Sequence, residues 1–243
     1  MALDETNPGL DRVRFALRAA GIPAEAPQPH RSGVHSRGYL PHVKREGASY
    51  FVTFRLDDSL PKEVLLQFQA ERAERLRRLL AATDSPPWET EDTINRDHRR
   101  QVERYLDRGV GACWLRRPDL ADLVANALRH FDGQRYLLSA WVVMPNHVHA
   151  VLWPRPNHLL GDILRSWKGY TAHEANQRLQ RMGQPFWQPE SYDHWIRSDD
   201  EKARVCRYVV NNPVSAGLCA APEDWRWSSA WPGRPTPPKP PQP

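Results

Sequence analysis

The sequence predicts an α+β fold, a mainly antiparallel sheet with helices packed on one side. Three observations predict it. Two adjacent β-rich runs, RYLLSAWVV (Arg135–Val143) and HVHAVLWP (His147–Pro154), are joined by Met144-Pro145-Asn146 and read as a hairpin. A further alternating run, SYFVTFRL (Ser49–Leu56), reads as a third strand. Four segments with helical spacing lie between and after these runs, in the order that puts helices against a sheet rather than in a separate bundle.

The elements follow in chain order. After the strand at Ser49–Leu56, Pro61 opens a helix to about Ala82. Leu65, Phe68, Ala73, Leu76 and Leu80 lie near one of its faces, and Arg72, Arg75, Arg77 and Arg78 on the other. DSPPWETE (Asp84–Glu91) reads as a turn, followed by a charged stretch to Asp107. Pro118–Phe131 reads as a second helix that Gly133 ends. The hairpin comes next, then a third helix over His158–Arg181. A fourth spans Asp199–Asn211 and is stopped by Pro213, because the residue before a proline is pushed out of the helical region. The sum suggests a ferredoxin-like arrangement.

The chain divides into three parts. Residues 1–36 read as an N-terminal appendage, because Pro23, Pro27, Pro29, Ser32 and Gly33 break any long helix. Residues 37–231 form the folded domain. Residues 232–243, PGRPTPPKPPQP, form a proline-rich tail expected to be extended or disordered.

Composition narrows the function classes. The chain has 243 residues, 40% of them hydrophobic, which is enough for a core. A net charge of +5 suits a polyanionic partner, since Lys and Arg displace counterions from phosphates. The three cysteines, Cys113, Cys206 and Cys219, are odd in number and form no C-x-x-C pair. That argues against a disulfide framework or a cysteine-rich zinc site, and for a reducing compartment. The first residues lack a signal-peptide core and no apolar run spans a bilayer, so a cytoplasmic protein without a membrane partner is expected, nucleoid-associated when bound to DNA. No G-x-x-x-x-G-K-[ST] motif occurs, which argues against a large initiator with a P-loop helicase.

The segment MPNHVHAVLWP (Met144–Pro154) carries the chemistry. Side chains alternate along a strand, so His147 and His149 share a face and can share one metal ion. Val148, Ala150 and Leu152 point the other way, into a core. Two histidines leave the ligand set incomplete. RYVVNNPVSAG (Arg207–Gly217) offers the rest: Tyr208 and Asn212 are four apart, one helical turn, with a phenol beside a carboxamide oxygen.

MPNHVHAVLWP resembles the HUH signature of rolling-circle initiators, relaxases and transposases similar to the IS200 family. YVVNNPVSAG followed by PEDWRWSSA (Pro222–Ala230) resembles the closing motif of the REP-associated tyrosine transposases, which are single-tyrosine HUH nucleases. RGYLPHV (Arg37–Val43) with YFVTFRL, GACWLRRPDLA (Gly111–Ala121), HFDGQRYLLSAWVVMPNHVH and FWQPESYDHWIR (Phe186–Arg197) fit the same pattern. The resemblance runs from about Arg37 to Ala230. It implies a ferredoxin-like palm, a divalent metal on His147, His149 and Asn212, and Tyr208 as the nucleophile. The family helix reads Tyr-Ile-x-x-Asn-Pro-Val, and here Val209 stands for the isoleucine. Tyr170, in SWKGYTAHEAN with Glu174 four residues on, is the alternative nucleophile, and Tyr192 the third.

The implied activity is metal-dependent nicking of single-stranded DNA and strand transfer through a 5′-phosphotyrosine, on palindromic hairpin DNA. Two imidazoles and a carboxamide suit Mg²⁺ or Mn²⁺. Arg72, Arg75, Arg78, Arg100 and Arg104 are candidates to track phosphates. Trp187, Tyr192 and Trp195 are candidates to stack on bases, and Arg197 lies beside them. A homodimer is implied only if the helix delivers its tyrosine to a partner's histidines. The alternatives are a replication initiator or relaxase of the same chemistry, and a non-catalytic nucleic-acid-binding module on a ferredoxin-like sheet.

Overall fold

The structure is a computed structural model that describes residues 33–36, 41–44, 47–82 and 87–233. Most of the N-terminal appendage and of the proline tail lies outside these residues. Strands β1 (Gly33–Ser36) and β2 (Pro41–Lys44) pair antiparallel and straddle the expected boundary at residue 36. β3 (Ser49–Arg55) leads to α1 (Lys62–Ala82) and α2 (Pro87–Leu106), then to α3 (Pro118–His130). The hairpin β4 (Tyr136–Val143) and β5 (His147–Pro154) comes next, followed by α4 (Leu160–Arg178), β6 (Tyr192–Ile196) and α5 (Asp199–Ser215).

The four-stranded sheet has the order β4-β5-β3-β6, with every neighbouring pair antiparallel. Taken with α3 and α4, this is the β-α-β-β-α-β succession of a ferredoxin-like palm. Alternation along the strands divides the side chains cleanly. Tyr50, Val52 and Phe54 of β3 and Val148, Ala150 and Leu152 of β5 pack with Leu120, Val124 and Leu128 of α3 and Ile163, Leu164 and Trp167 of α4. Phe51, Val142 and Val151 face the opposite way and pack with Val209 of α5. The expected helices do cover one face. The other face is covered as well, by α5, with Arg99 of α2 reaching over Phe51.

Three local expectations are corrected. The charged stretch before Asp107 is a helix, α2, which starts on Pro87, where a missing N–H costs nothing. The helix at Asp199 does not stop at Pro213 but runs on to Ser215 with the proline inside. Val209, Asn212 and Pro213 are all buried, and the N–H of Ala216 donates to the Asn212 carbonyl (3.0 Å), so packing carries the last turn past the bond that proline removes. Residues 192–196 form an edge strand on β3, which sequence reading left unassigned. The far edge, β4, is closed by the segment after α5: Val143 N–H donates to the Trp227 carbonyl and Ser229 N–H to the Trp141 carbonyl, each 2.8 Å.

A buried polar relay joins the two palm helices to the sheet. Trp167 Nε1 donates to the Tyr136 hydroxyl (2.9 Å), which donates to the Leu128 carbonyl (2.7 Å). Tyr136→Phe leaves the Trp167 N–H buried without an acceptor. It should lower unfolding stability by about 1–3 kcal/mol in urea titrations, with the secondary structure unchanged. An unchanged midpoint would show that the relay adds nothing.

Candidate active site on the second face of the sheet

β3 and β5 set the floor of the site. Their register places Thr53 opposite His149 and Arg55 opposite His147, so all four side chains share the face that α5 covers. His147 Nε2 and His149 Nε2 lie 3.1 Å apart, and both rings are at most 1% exposed. Burial pushes His147 down to about 3 and His149 well below its ordinary range, with His147 and Arg99 adding to the second shift. Both imidazoles are therefore neutral and offer lone pairs.

The neighbours decide which nitrogen offers one. Asn146 is fully buried, and its Nδ2 donates to the carbonyls of Leu106 (3.1 Å) and Val110 (3.0 Å). That fixes its amide so that Oδ1 faces His147 Nδ1 at 2.8 Å as an acceptor. His147 then carries its proton on Nδ1 and presents a bare Nε2 to the site, the outer-shell arrangement that orients a metal-binding histidine. His149 Nδ1 lies 2.8 Å from the Thr53 hydroxyl, which can donate or accept and so permits either tautomer.

α5 supplies the remaining groups. Asn212, 1% exposed, neighbours His147, and its Oδ1 is buried with no hydrogen-bond partner. A buried orphan carbonyl oxygen costs free energy unless something else satisfies it. Two Nε2 atoms and this oxygen form a donor set that fits a divalent cation. Two nitrogens bound at about 2.1 Å and at right angles stand about 3 Å apart, close to the spacing seen here. Asn212 Nδ2 donates to the Tyr208 hydroxyl (3.3 Å). The Tyr208 ring lies edge-on to His149 (5.6 Å between centroids) and Phe51 (6.0 Å), and is 36% exposed.

The sequence reading named His147, His149, Tyr208 and Asn212, and the fold brings all four together. Tyr170 does not join them. It is exposed on α4, whose buried side chains pack on the opposite face of the sheet.

Four participants were missed: Thr53, Asn146, Arg99 and Glu103. Glu103 on α2 is buried, and its charge acts on the Tyr208 phenol. Arg99 Nε stands 3.8 Å from Glu103 Oε1, and Arg99 Nη1 donates to the Tyr192 hydroxyl (3.3 Å). Burial raises Glu103 to about 7 against the pull of Arg99, and raises Asp107 to about 6. Burial, with Glu103 and Asp107 nearby, drives the Tyr208 phenol far above its ordinary value. The i, i+4 spacing of Arg99 and Glu103 was the available signal, once the charged stretch is read as a helix.

A cleft of about 1150 Å³ opens beside the site. Arg55, Arg72, Arg96, Arg99, Arg100 and Arg197 line it, together with Tyr192, Trp195 and Tyr208. The other expected DNA contacts lie elsewhere. Arg75 pairs with Asp97 (2.8 Å), Arg78 pairs with Glu74 (2.7 Å), and neither lines the cleft; nor does Arg104, whose Nε donates to the Arg100 carbonyl. Trp187 is 6% exposed, packs on Phe54 (4.8 Å) and donates to Thr171 Oγ1 (2.9 Å), so it belongs to the core and offers no face to a base.

A neutral histidine pair, a tyrosine and an arginine-lined cleft on one ferredoxin-like sheet suit a protein that processes nucleic acid. Comparison adds a partial match: residues 117–212 match the family described as "Transposase IS200 like". The match covers α3 to Asn212 and leaves out β3, Arg99 and Glu103. No curated protein matches the chain. Among solved structures, a REP-associated tyrosine transposase bound to a REP hairpin is 19% identical, with 81% of each chain covered and a TM-score of 0.42. A Deinococcus radiodurans protein assigned to the transposases is 17% identical, covering 73% of this chain and 96% of that one, with a TM-score of 0.28.

Glu103 gives a pH-dependent stability prediction. A carboxyl that titrates near 7 when folded and near 4.5 when unfolded favours folding fully below 4.5, and that contribution is lost as pH rises through 7. The gap corresponds to a cost of about 3 kcal/mol for the ionised form, at roughly 1.4 kcal/mol per pH unit. Glu103→Gln should therefore raise unfolding stability at pH 8, with the gain shrinking towards zero by pH 4. Denaturant titrations at the two pH values check it, and a destabilised variant at pH 8 would contradict it.

Proposed function

We propose that this chain nicks single-stranded DNA and transfers the strand through a covalent 5′-phosphotyrosine on Tyr208. One observation carries the reading: the Tyr208 hydroxyl and the unpartnered Asn212 oxygen, one turn apart on α5, meet the facing Nε2 atoms of His147 and His149 within a single chain. Simple binding has no use for that set. His147, His149 and Asn212 would hold the ion, and Mg²⁺ or Mn²⁺ suits them. When bound, such an ion acts as a Lewis acid towards the scissile phosphate.

The remaining work falls to the protein. Arg55 and Arg99 border the cleft beside the histidines and counter the charge of the entering backbone. Tyr192 and Trp195 line the same cleft and suit stacking on unpaired bases. The Tyr208 oxygen attacks phosphorus, the bond to the 3′ oxygen breaks, and a 3′ hydroxyl and a tyrosine-bound 5′ phosphate result. The phosphotyrosine conserves the bond for rejoining, which strand transfer needs and hydrolysis would discard. The Tyr208 ring lies edge-on to His149, so its hydroxyl and the histidine pair share one side of the sheet. Hairpin DNA is the proposed substrate, in keeping with the REP hairpin bound by the similar protein. Tyrosine and histidines come from the same chain, so the site itself does not call for a dimer.

The binding-module reading is less favoured. An RNA-recognition sheet keeps one face open for bases, whereas here both faces are covered, the second by α5.

Purified protein should form a Mn²⁺-dependent covalent adduct with single-stranded hairpin DNA from the flanks of its own gene, seen on denaturing gels and abolished by EDTA. Tyr208→Phe should abolish the adduct, and Tyr170→Phe should leave it intact. An adduct that survives Tyr208→Phe and disappears in Tyr170→Phe would overturn the assignment.

A further inference from the structure

We propose that Glu103 is a catalytic residue, the proton acceptor that turns the Tyr208 phenol into a nucleophile. The inference rests on the proposed role of Tyr208 and names the base that role requires.

The geometry isolates the pair. Glu103 comes from α2, an element outside the palm, and reaches the face of the sheet where Tyr208 lies over Phe51 and His149. Glu103 and Tyr208 line the same cleft, and Glu103 Oε1 is buried and makes no hydrogen bond of its own. A buried carboxylate oxygen without a donor is an expensive group to keep. A structural role would be served better by a glutamine, which fills the same space without a charge. The groups facing Glu103 are few: Arg99 and Arg100 on its own helix, Asp107 just past the end of that helix, Tyr208 on α5 and Tyr192 on β6. Arg99, at 3.8 Å, is the nearest cation and keeps the carboxylate accessible as an ion. None of the other facing groups is a better acceptor for the phenol proton.

The step balances without a further reagent. The Tyr208 hydroxyl gives its proton to the Glu103 carboxylate as its oxygen forms the bond to phosphorus. The bond from phosphorus to the 3′ oxygen breaks, and that oxygen takes a proton from solvent. In rejoining, the 3′ hydroxyl loses its proton to solvent and attacks, and the departing Tyr208 oxygen recovers its proton from Glu103. A base titrating near 7 is half ionised at neutral pH, the condition in which it can both take and return a proton.

The test measures single-turnover adduct formation with Mn²⁺ and saturating hairpin DNA from pH 5.5 to 9, for the full-length chain and Glu103→Gln, Glu103→Asp and Tyr208→Phe. DNA affinity by fluorescence anisotropy and melting temperature are read in parallel. In wild type the rate should climb about tenfold per pH unit below 7 and level off above it. Glu103→Gln should bind DNA within about twofold, melt no lower, react about 10²–10⁴ times more slowly and lose that limb of the profile. Glu103→Asp should recover part of the rate. A Glu103→Gln rate within about threefold of wild type, with the same profile and with Tyr208→Phe inactive, would overturn this proposal and leave the nuclease reading standing. Absence of any adduct from wild type bound to DNA would overturn both.

Discussion

The alternation of side chains along β5 is the constraint on which the rest depends. A period of two sends Val148, Ala150 and Leu152 into the core under α3 and α4 and leaves His147 and His149 on the other face. A slip of one residue in register would exchange the two sets, burying imidazoles among leucines and exposing the core. Packing of the apolar set therefore fixes the histidines more firmly than any contact of their own. The buried amide of Asn146, held by two carbonyls, then orients the ring of His147.

The second face is built at a cost in stability. It buries two neutral imidazoles with their nitrogens in contact, an orphan carboxamide oxygen on Asn212 and a carboxyl on Glu103 that resists ionisation. A face needed only for cohesion would be largely apolar with its few polar groups hydrogen-bonded, as the other face is. Polar groups that burial disfavours, gathered at one spot beside an arginine-lined cleft, are the mark of a site under chemical rather than structural demand.

Much of this was legible in the sequence, and the failures are instructive. The hairpin, α3 and α4 and the His-x-His face follow from local periodicity, which the structure has no reason to override. Pro213 misled because its local cost is real but smaller than the packing of Val209 and Asn212 around it. The helix α2 was hidden by its charge: Arg99 and Glu103 read as solvated residues until a fold turns them toward β3 and α5. Trp187 illustrates the converse, an aromatic that looks available in sequence and is consumed by Phe54 and Phe186 in the core. Contacts between segments about a hundred residues apart, such as Glu103 with Tyr208 or Thr53 with His149, carry no local signature.

The central claim is that β5 and α5 together make one divalent-cation site. Calorimetric titration of Mn²⁺ into the purified chain at pH 7.5 tests it most directly. One ion should bind per chain, with binding lost in His149→Ala and weakened at least tenfold in Asn212→Ala, while both variants remain folded. Binding that is absent from the wild type, or unaffected by either substitution, would contradict the account.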